Sequence, residues 1–347
     1  MAINDNQLSE DERESLIGSL RLLLQRNAEL FRTDVKAGWK LLAELGLAQL
    51  CRPAGAGGLK EAVLALQELG AASCSAPLVG SILTNVLSAK FPLLADLAQG
   101  LDSGDVGVAF VFPEFDKDAD GSEVTVAGNE ISGTFSFIEG KAALTTLVIV
   151  TSTSLALLDL SATGAETINA TLLGSLPSDR ISVKNAPVKT LSLAAHDKAE
   201  IVTLAQLLMT TRGLGAARCG FSEVVEYVTT RRQFGQPIGR FQAIQHKLAN
   251  CFTTLEALRL SAFNAADAFD VGNPDWRFFS AATSAYGNQT LRQVALEIHH
   301  TFGAIGYAEE HSMPHHFRQI HNDVIRVGGV REARRALAYF LLSSGAH

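Results

Sequence analysis

Apolar positions along the chain recur at helical spacing in its first and last parts and alternate with a period of two in between. From Gln7 to about Gly100, Leu16, Leu20, Leu23, Leu24, Leu30 and Phe31 supply the apolar face of one or two helices. Ser9 and Glu12 stand at the capping-box spacing in front of it. The next helix begins near Val35 and runs through Trp39, Leu42 and Leu45 to a stop at Gly46. Leu47 to Gly58, with Pro53 and three further glycines, reads as a loop because neither residue type continues a helix. Helix resumes over Leu59 to Gly70 and over Pro77 to Ser88.

At Asp105 the period changes. Val106, Val108, Phe110 and Phe112, then Val124, Val126, Ile131, Phe135 and Phe137, and the runs Leu147–Val150 and Leu155–Leu158 predict short strands ending near Leu193. Turn signals at 118–121, Gly128-Asn129, Glu139-Gly140 and 161–164 separate them. Long helical periodicity returns at His196, broken at Gly235, at Gly272-Asn273-Pro274 and between Gly303 and Gly306. The predicted fold class is therefore α+β multidomain. It comprises an N-terminal helical domain (1–104), a middle β-barrel or sandwich domain (105–194) and a C-terminal antiparallel helical bundle (195–347) whose apolar faces suit subunit association.

With 347 residues, 47% hydrophobic and 19% charged, the chain is long enough for two or three globular units and is not disordered. A formal charge of −7 leaves basic function to local patches and speaks against a nucleic-acid partner. The N-terminus carries no basic leader with an apolar run, and no segment offers about eighteen uninterrupted apolar residues, so the expectation is a cytoplasmic protein without membrane insertion. Cys51, Cys74, Cys219 and Cys251 are scattered and read as small core residues, not as a disulfide framework or zinc site. His299, His300, His311, His315, His316 and His321 lack the spacing of a zinc helix, so no metal is expected.

The most informative stretch joins two of the long helical patterns: Arg231-Arg232-Gln233-Phe234-Gly235-Gln236-Pro237-Ile238-Gly239, followed by Arg240-Phe241-Gln242-Ala243-Ile244-Gln245-His246-Lys247-Leu248-Ala249. A guanidinium fork fits phosphate oxygens, and the free N–H groups of a helix start favour the same charge. It reads as a phosphate-recognition turn. Taken singly, its arginines and glycines would be solvated helix-end charges and turn residues.

This stretch is similar to the Arg-x-x-Phe-Gly-x-x-Ile turn and Phe-Gln-x-Ile-Gln-x-x-Leu-Ala helix of the acyl-CoA dehydrogenase family, through Arg231, Phe234, Gly235, Ile238, Phe241, Gln242, Ile244, Gln245, Leu248 and Ala249. His300-Thr301-Phe302-Gly303-Ala304-Ile305-Gly306-Tyr307-Ala308-Glu309-Glu310 resembles the family's Gln-x-x-Gly-Gly-x-Gly-Phe/Tyr-Thr-x-Glu. Weaker echoes are Trp39–Leu47 and Ile131–Phe137, and the resemblance spans nearly the whole chain. It implies FAD at a dimer interface within a tetramer, the assembly being a homo- or hetero-oligomer (dimer or tetramer), oxidation of an acyl-CoA thioester between its α and β carbons, and an acceptor such as an electron-transfer flavoprotein. On that reading Arg231, Gln233, Phe234 and Gln242 meet the FAD diphosphate region, while His300, Gly303 and Ala304 approach the same cofactor from a neighbouring subunit.

The chemistry also needs a carboxylate to remove the α-proton. Where the family carries the glutamate of Tyr-Glu-Gly-Thr, this chain has Gly328 within Arg326-Val327-Gly328-Gly329-Val330, and the family's other location aligns with Ala205. Either Asp323, Glu332, Glu309 or Glu310 serves as base, or this chain does not supply one. The family's Thr-Glu-Pro and Trp-x-Thr segments, which hold the flavin ring, correspond to Val111-Phe112-Pro113-Glu114 and Phe135-Ser136-Phe137-Ile138, with Ser136 the candidate hydroxyl. Arg331, Arg334 and Arg335 are expected on the exposed face of the last helix, where a CoA phosphate would also suit them. Two functions follow: an FAD-dependent acyl-CoA dehydrogenase, complete or as one chain of a mixed tetramer, or a non-catalytic acyl-CoA- and FAD-binding subunit.

Overall fold

The computed structural model describes residues 8–53, 55, 57–116, 123–161, 165–170 and 178–344. The turn expected at 118–121, the last three residues of the one at 161–164, Ala54 and Ala56 of the first loop, and the first seven residues lie outside them. The N-terminal part contains α1 (Glu10–Arg26), α2 (Ala28–Thr33), α3 (Val35–Glu44), α4 (Leu59–Ala71), α5 (Leu78–Ser88) and α6 (Ala95–Gly100). Ser9 and Glu12 form the reciprocal capping box at the start of α1. Gly46, at φ 89°, ends the α3 turn in the left-handed region that a side chain would disfavour.

Strands follow: β1 (Val108–Val111), β2 (Thr125–Ala127), β3 (Glu130–Ile138), β4 (Thr146–Val150), β5 (Ser154–Asp159), β6 (Ala165–Ala170) and β7 (Ser178–Ser192). They make one mixed sheet in the order β1-β4-β5-β7-β3-β2, with β6 also on β7 and the β1–β4 pair parallel. The long strand β7 serves both halves, pairing β3 and β6 along its first part and β5 over its last residues. Val111, Ile131, Phe135, Leu147, Ile149, Leu158 and Ile181 form the buried core of this part.

The C-terminal region holds α7 (Ala195–Thr230), the two-stranded ribbon β8 (Arg232–Gln233) and β9 (Gln236–Pro237), and then α8 (Gln242–Asp270), α9 (Trp276–Phe302), α10 (Met313–Ile325) and α11 (Gly329–Ser344). The fold class read from the sequence, helical regions on either side of a central β region, is the one observed. At 36 residues α7 is the spine. Its first half packs into the N-terminal core through Ile201, Leu204, Leu207 and Leu208, and its second half into the bundle core through Leu214, Ala217, Val224 and Val228. It crosses α4 at backbone contact, because a Cβ on Gly70 would lie 1.9 Å from the Arg212 carbonyl oxygen and one on Gly215 1.9 Å from that of Gln67. This crossing sets Arg212 against the sheet and Cys219 beside the turn that follows α4. Among the described residues no helix is long and apolar enough to cross a membrane.

Candidate functional site

The cationic stretch is a tight hairpin at the end of α7. Arg231 caps the helix by donating its N–H to the Tyr227 carbonyl, and the Ile238 N–H returns to the Arg231 carbonyl at 2.8 Å. Arg232 pairs with Pro237 and Gln233 with Gln236, leaving Phe234 (φ 52°) and Gly235 (φ 80°) as the two central residues. Two left-handed residues in a two-residue connection make a type I′ turn, a conformation glycine takes freely and phenylalanine does not. Phe234 nonetheless stands there 91% exposed, edge-on to Phe241. Strain combined with exposure of a large aromatic marks a position shaped by something outside the chain.

Arg232 donates to the Gly235 carbonyl at 2.9 Å and so braces the turn. Among the described residues no hydrogen bond or ion pair engages the Arg231 guanidinium, which is exposed together with Gln233 and Gln242. Phe241 offers no side-chain cap to α8, so the first N–H groups of that helix have no side-chain acceptor from it. The arrangement suits an anion: an unpartnered cation, a helix start without a side-chain cap and small residues that admit close approach.

His300, Gly303 and Ala304 sit at the end of α9, where Gly303 at φ 67° starts a short 3-10 turn to Tyr307. His300 and Ala304 are exposed, and a Cβ on Gly303 would meet nothing within 4 Å. Phe302 packs on Tyr227 with ring centroids 5.1 Å apart, one helical turn before Arg231. The hairpin and the glycine corner thus share one end of the same bundle. Within one chain, hairpin and corner therefore form a two-part cradle. Exposed Phe234, Ile305 and Tyr307 surround it.

Ser136 is not at this end. It is buried on β3, and its neighbours Phe137, Ile138 and Glu139 line a cavity of about 50 Å³ between α5, β1 and α7. Phe112 and Arg326 complete the wall. An ion cluster that the sequence reading did not assemble fills its base. Arg212 pairs with Asp323 at 2.5 Å and with Glu139 at 3.0 Å, while Arg326 pairs with Asp116 at 3.0 Å and donates to the Phe137 carbonyl. Gln319 and Asn322 add donors to Asp323 and Glu139. Burial works against the Arg212 charge, yet Asp323 and Glu139 outweigh it and raise its pKa. Burial also raises the Asp323 carboxyl, with Arg212 and Gln319 pulling the other way.

Neither family position for the base carries a carboxylate, and Gly328 has no room for one. A Cβ on Gly328 would lie 2.6 Å from the Glu332 Cβ and 3.1 Å from the Phe115 ring, at φ 79°. Ala205 is fully buried in the N-terminal core. Of the alternative acids, Asp323 is locked to Arg212, Glu309 is held by Arg318, Glu332 faces Arg335, and Glu310 is exposed beside the corner. Arg331, Arg334 and Arg335 are exposed on α11, with Arg334 bonded to Gln289.

Cys51, Cys74 and Cys251 are buried core residues, but Cys219 is not. It is half-buried one helical turn from Glu223, and His316 of α10 closes on both. Burial disfavours the His316 imidazolium, yet Cys219 and Glu223 raise its pKa to about 9. The i,i+4 spacing of Cys219 and Glu223 is visible in the sequence, but only the folding of α10 onto α7 brings in the histidine.

Residues 200–337, most of the bundle that carries hairpin and corner, match the description acyl-CoA dehydrogenase, C-terminal domain. The acyl-CoA dehydrogenase IpdE2 of Mycobacterium tuberculosis is 28% identical over 317 residues, 86% of this chain and 85% of that protein. Its counterpart in Mycolicibacterium smegmatis is 26% identical over 94% and 98% of the two chains. Butyryl-CoA dehydrogenase from Megasphaera elsdenii superposes with a TM-score of 0.81 at 19% identity, covering 99% of this chain and 100% of that one. The ChsE4-ChsE5 complex from Mycobacterium tuberculosis superposes at 0.79 and 21% identity over 96% and 98%. Sequence kinship over the bundle and beyond, with the same three-part fold, leads to one conclusion: the chain belongs to the acyl-CoA dehydrogenase family.

Proposed function

We propose that this chain is the base-lacking subunit of a mixed acyl-CoA dehydrogenase, lending its cradle to FAD whose ring rests on a partner chain. The observation that carries this is the crowding at Gly328 and the alanine at 205, with Asp323, Glu309 and Glu332 already paired and Glu310 exposed. The cofactor fits half of the chain. At the bundle end, Arg231, Gln233, Phe234 and Gln242 with His300, Gly303 and Ala304 offer a free cation, free N–H groups and open space for a diphosphate. At the sheet, the ion pairs of Arg212 with Glu139 and of Arg326 with Asp116 occupy the base of the cavity, which favours a ring held by the partner chain. Bound flavin supplies the acceptor for the β-hydrogen as hydride in an α,β-oxidation to a 2-enoyl-CoA.

This chain's residues then have positioning roles. Arg231 neutralises diphosphate charge, Gly303 lets the backbone come close, and Phe234 covers the cofactor from water as it is itself covered by the partner. The α-proton is removed by a carboxylate of the partner chain, and the electrons pass to an acceptor such as an electron-transfer flavoprotein. A relative whose structure is titled a complex of two differently named chains, ChsE4 and ChsE5, supports a mixed assembly.

The test is to purify the chain alone and with an acyl-CoA dehydrogenase chain that co-purifies with it, then record visible spectra and turnover on an acyl-CoA panel with an artificial electron acceptor. Activity only in the mixed preparation is expected. Turnover by the isolated chain would overturn the missing base, and a mixed preparation active without flavin would overturn the cofactor.

A further inference from the structure

We infer that Cys219, Glu223 and His316 form a site for a divalent transition-metal ion of the zinc type, fastening α10 to α7. The Glu223 Oε1 atom lies 3.9 Å from Cys219 Sγ and 3.6 Å from His316 Nε2, and all three ligand atoms fall within 4.8 Å of one another. Zinc bonds of about 2.0–2.3 Å in a tetrahedron put neighbouring ligand atoms roughly 3.3–3.8 Å apart, so a contraction of at most about 1 Å completes the set. Thiolate, imidazole and carboxylate are the donors zinc selects, and their two negative charges neutralise a divalent ion.

The outer contacts match a metal site as well as the ligands do. His316 Nδ1 faces Ser73 Oγ at 3.4 Å, which fixes the ring with Nε2 pointing at the cluster. Ser312 Oγ donates to Glu223 Oε2 at 2.5 Å, leaving Oε1 for the ion. Ligating histidines are ordinarily oriented through their second nitrogen, and ligating carboxylates through their second oxygen. His316 is only 4% exposed, whereas Cys219 and Glu223 are half-buried, so an ion has an anchored wall and an open side. Three chain segments meet here: α7, α10 and the turn after α4. Ser312 directly precedes α10, within ten residues of Gly303, so an ion would also fix where the glycine corner leaves the bundle. The fourth position is left to water.

The full chain is tested after metal removal with a chelator and dialysis. Zinc is added in competition with a chromophoric chelator, and bound metal is counted by mass spectrometry. One zinc per chain is expected, with binding lost in Cys219→Ser and unchanged in Cys251→Ser. Ser73→Ala should weaken binding by about 10–100-fold. Cobalt in place of zinc should give a near-ultraviolet thiolate charge-transfer band absent from Cys219→Ser. Because His316 is buried and its removal could unfold the chain, the decision rests on the half-buried Cys219, with Glu223→Gln as a second variant. Stoichiometry well below one, or zinc binding equal in wild type, Cys219→Ser and Glu223→Gln, overturns the site.

Discussion

Arg212 on α7 grips Asp323 on α10 through two hydrogen bonds, Nε to Oδ2 at 3.1 Å and Nη2 to Oδ1 at 2.5 Å, with both side chains out of water. Removing one member strands the other's charge in the interior, at a cost of about 3–5 kcal/mol, whereas replacing both with apolar residues costs much less than the sum. Arg212→Leu and Asp323→Leu are each expected to lower the urea-unfolding free energy by that amount. The double variant should recover more than half of the combined loss. Single losses below about 1 kcal/mol would show that Glu139 and Arg326 already compensate the cluster.

Restoring the family's glutamate will not restore catalysis. At Gly328 a side chain meets the Glu332 Cβ and the Phe115 ring in a left-handed backbone, so Gly328→Glu should cost roughly 2–4 kcal/mol from crowding and strain together. The isolated variant is expected to melt several degrees lower and to turn over no acyl-CoA. Wild-type melting with gained activity would mean that the 327–329 backbone rearranges easily.

The fold was legible because its signals are local. The Ser9–Glu12 box, the stop at Gly46, the alternation through Val108 and Phe110, and the break at Gly235 each depend on a few neighbouring residues. The site was legible only in part, for a physical reason. Arg231 and Gly303 lie in contiguous motifs, but their presence at one end of one bundle depends on Tyr227 meeting Phe302 across 75 residues of sequence. The ion cluster joins Asp116, Glu139, Arg212 and the Asp323–Arg326 pair from four separated segments, and no spacing rule links the four. Ser136 is buried on β3, and an irregularity in the strand between Phe135 and Ile138, with Phe137 at φ 61°, brings Phe137, Ile138 and Glu139 to the cavity.

Arg231 has no partner among the described residues, so its loss should leave the fold intact. Arg231→Ala is expected to change unfolding free energy by less than about 0.5 kcal/mol, as surface substitutions usually do. A charge-assisted contact to phosphate contributes about 1.5–3 kcal/mol, so FAD retention in the mixed assembly should weaken roughly 10–100-fold. Flavin content after gel filtration reads both. Full occupancy in Arg231→Ala would remove this residue from the cofactor site.

Asp270, at the end of α8, caps α4 from across the fold: Oδ1 accepts from the Leu59 N–H at 2.7 Å and Oδ2 from the Lys60 N–H at 3.0 Å. The helix cannot cap itself, because residue 58 is glycine, and a Cβ there would lie 2.5 Å from Oδ1. Burial pushes the Asp270 carboxyl up to about 6, with the two N–H donors and Lys60 opposing and Glu61 assisting. The folded chain therefore keeps this proton at pH values where the unfolded chain has lost it. Between the ordinary value of 3.8 and about 6 the folded state binds more protons, so this group's contribution to stability falls as pH rises through that window and is level above it. The total is on the order of 3 kcal/mol. Asp270→Asn keeps one acceptor for the helix start and removes the titration. Urea-unfolding free energies at pH 4.5 and 7 should show the wild type losing more stability across the interval than Asp270→Asn. Equal changes in the two proteins would mean that the cap holds its carboxylate ionised throughout.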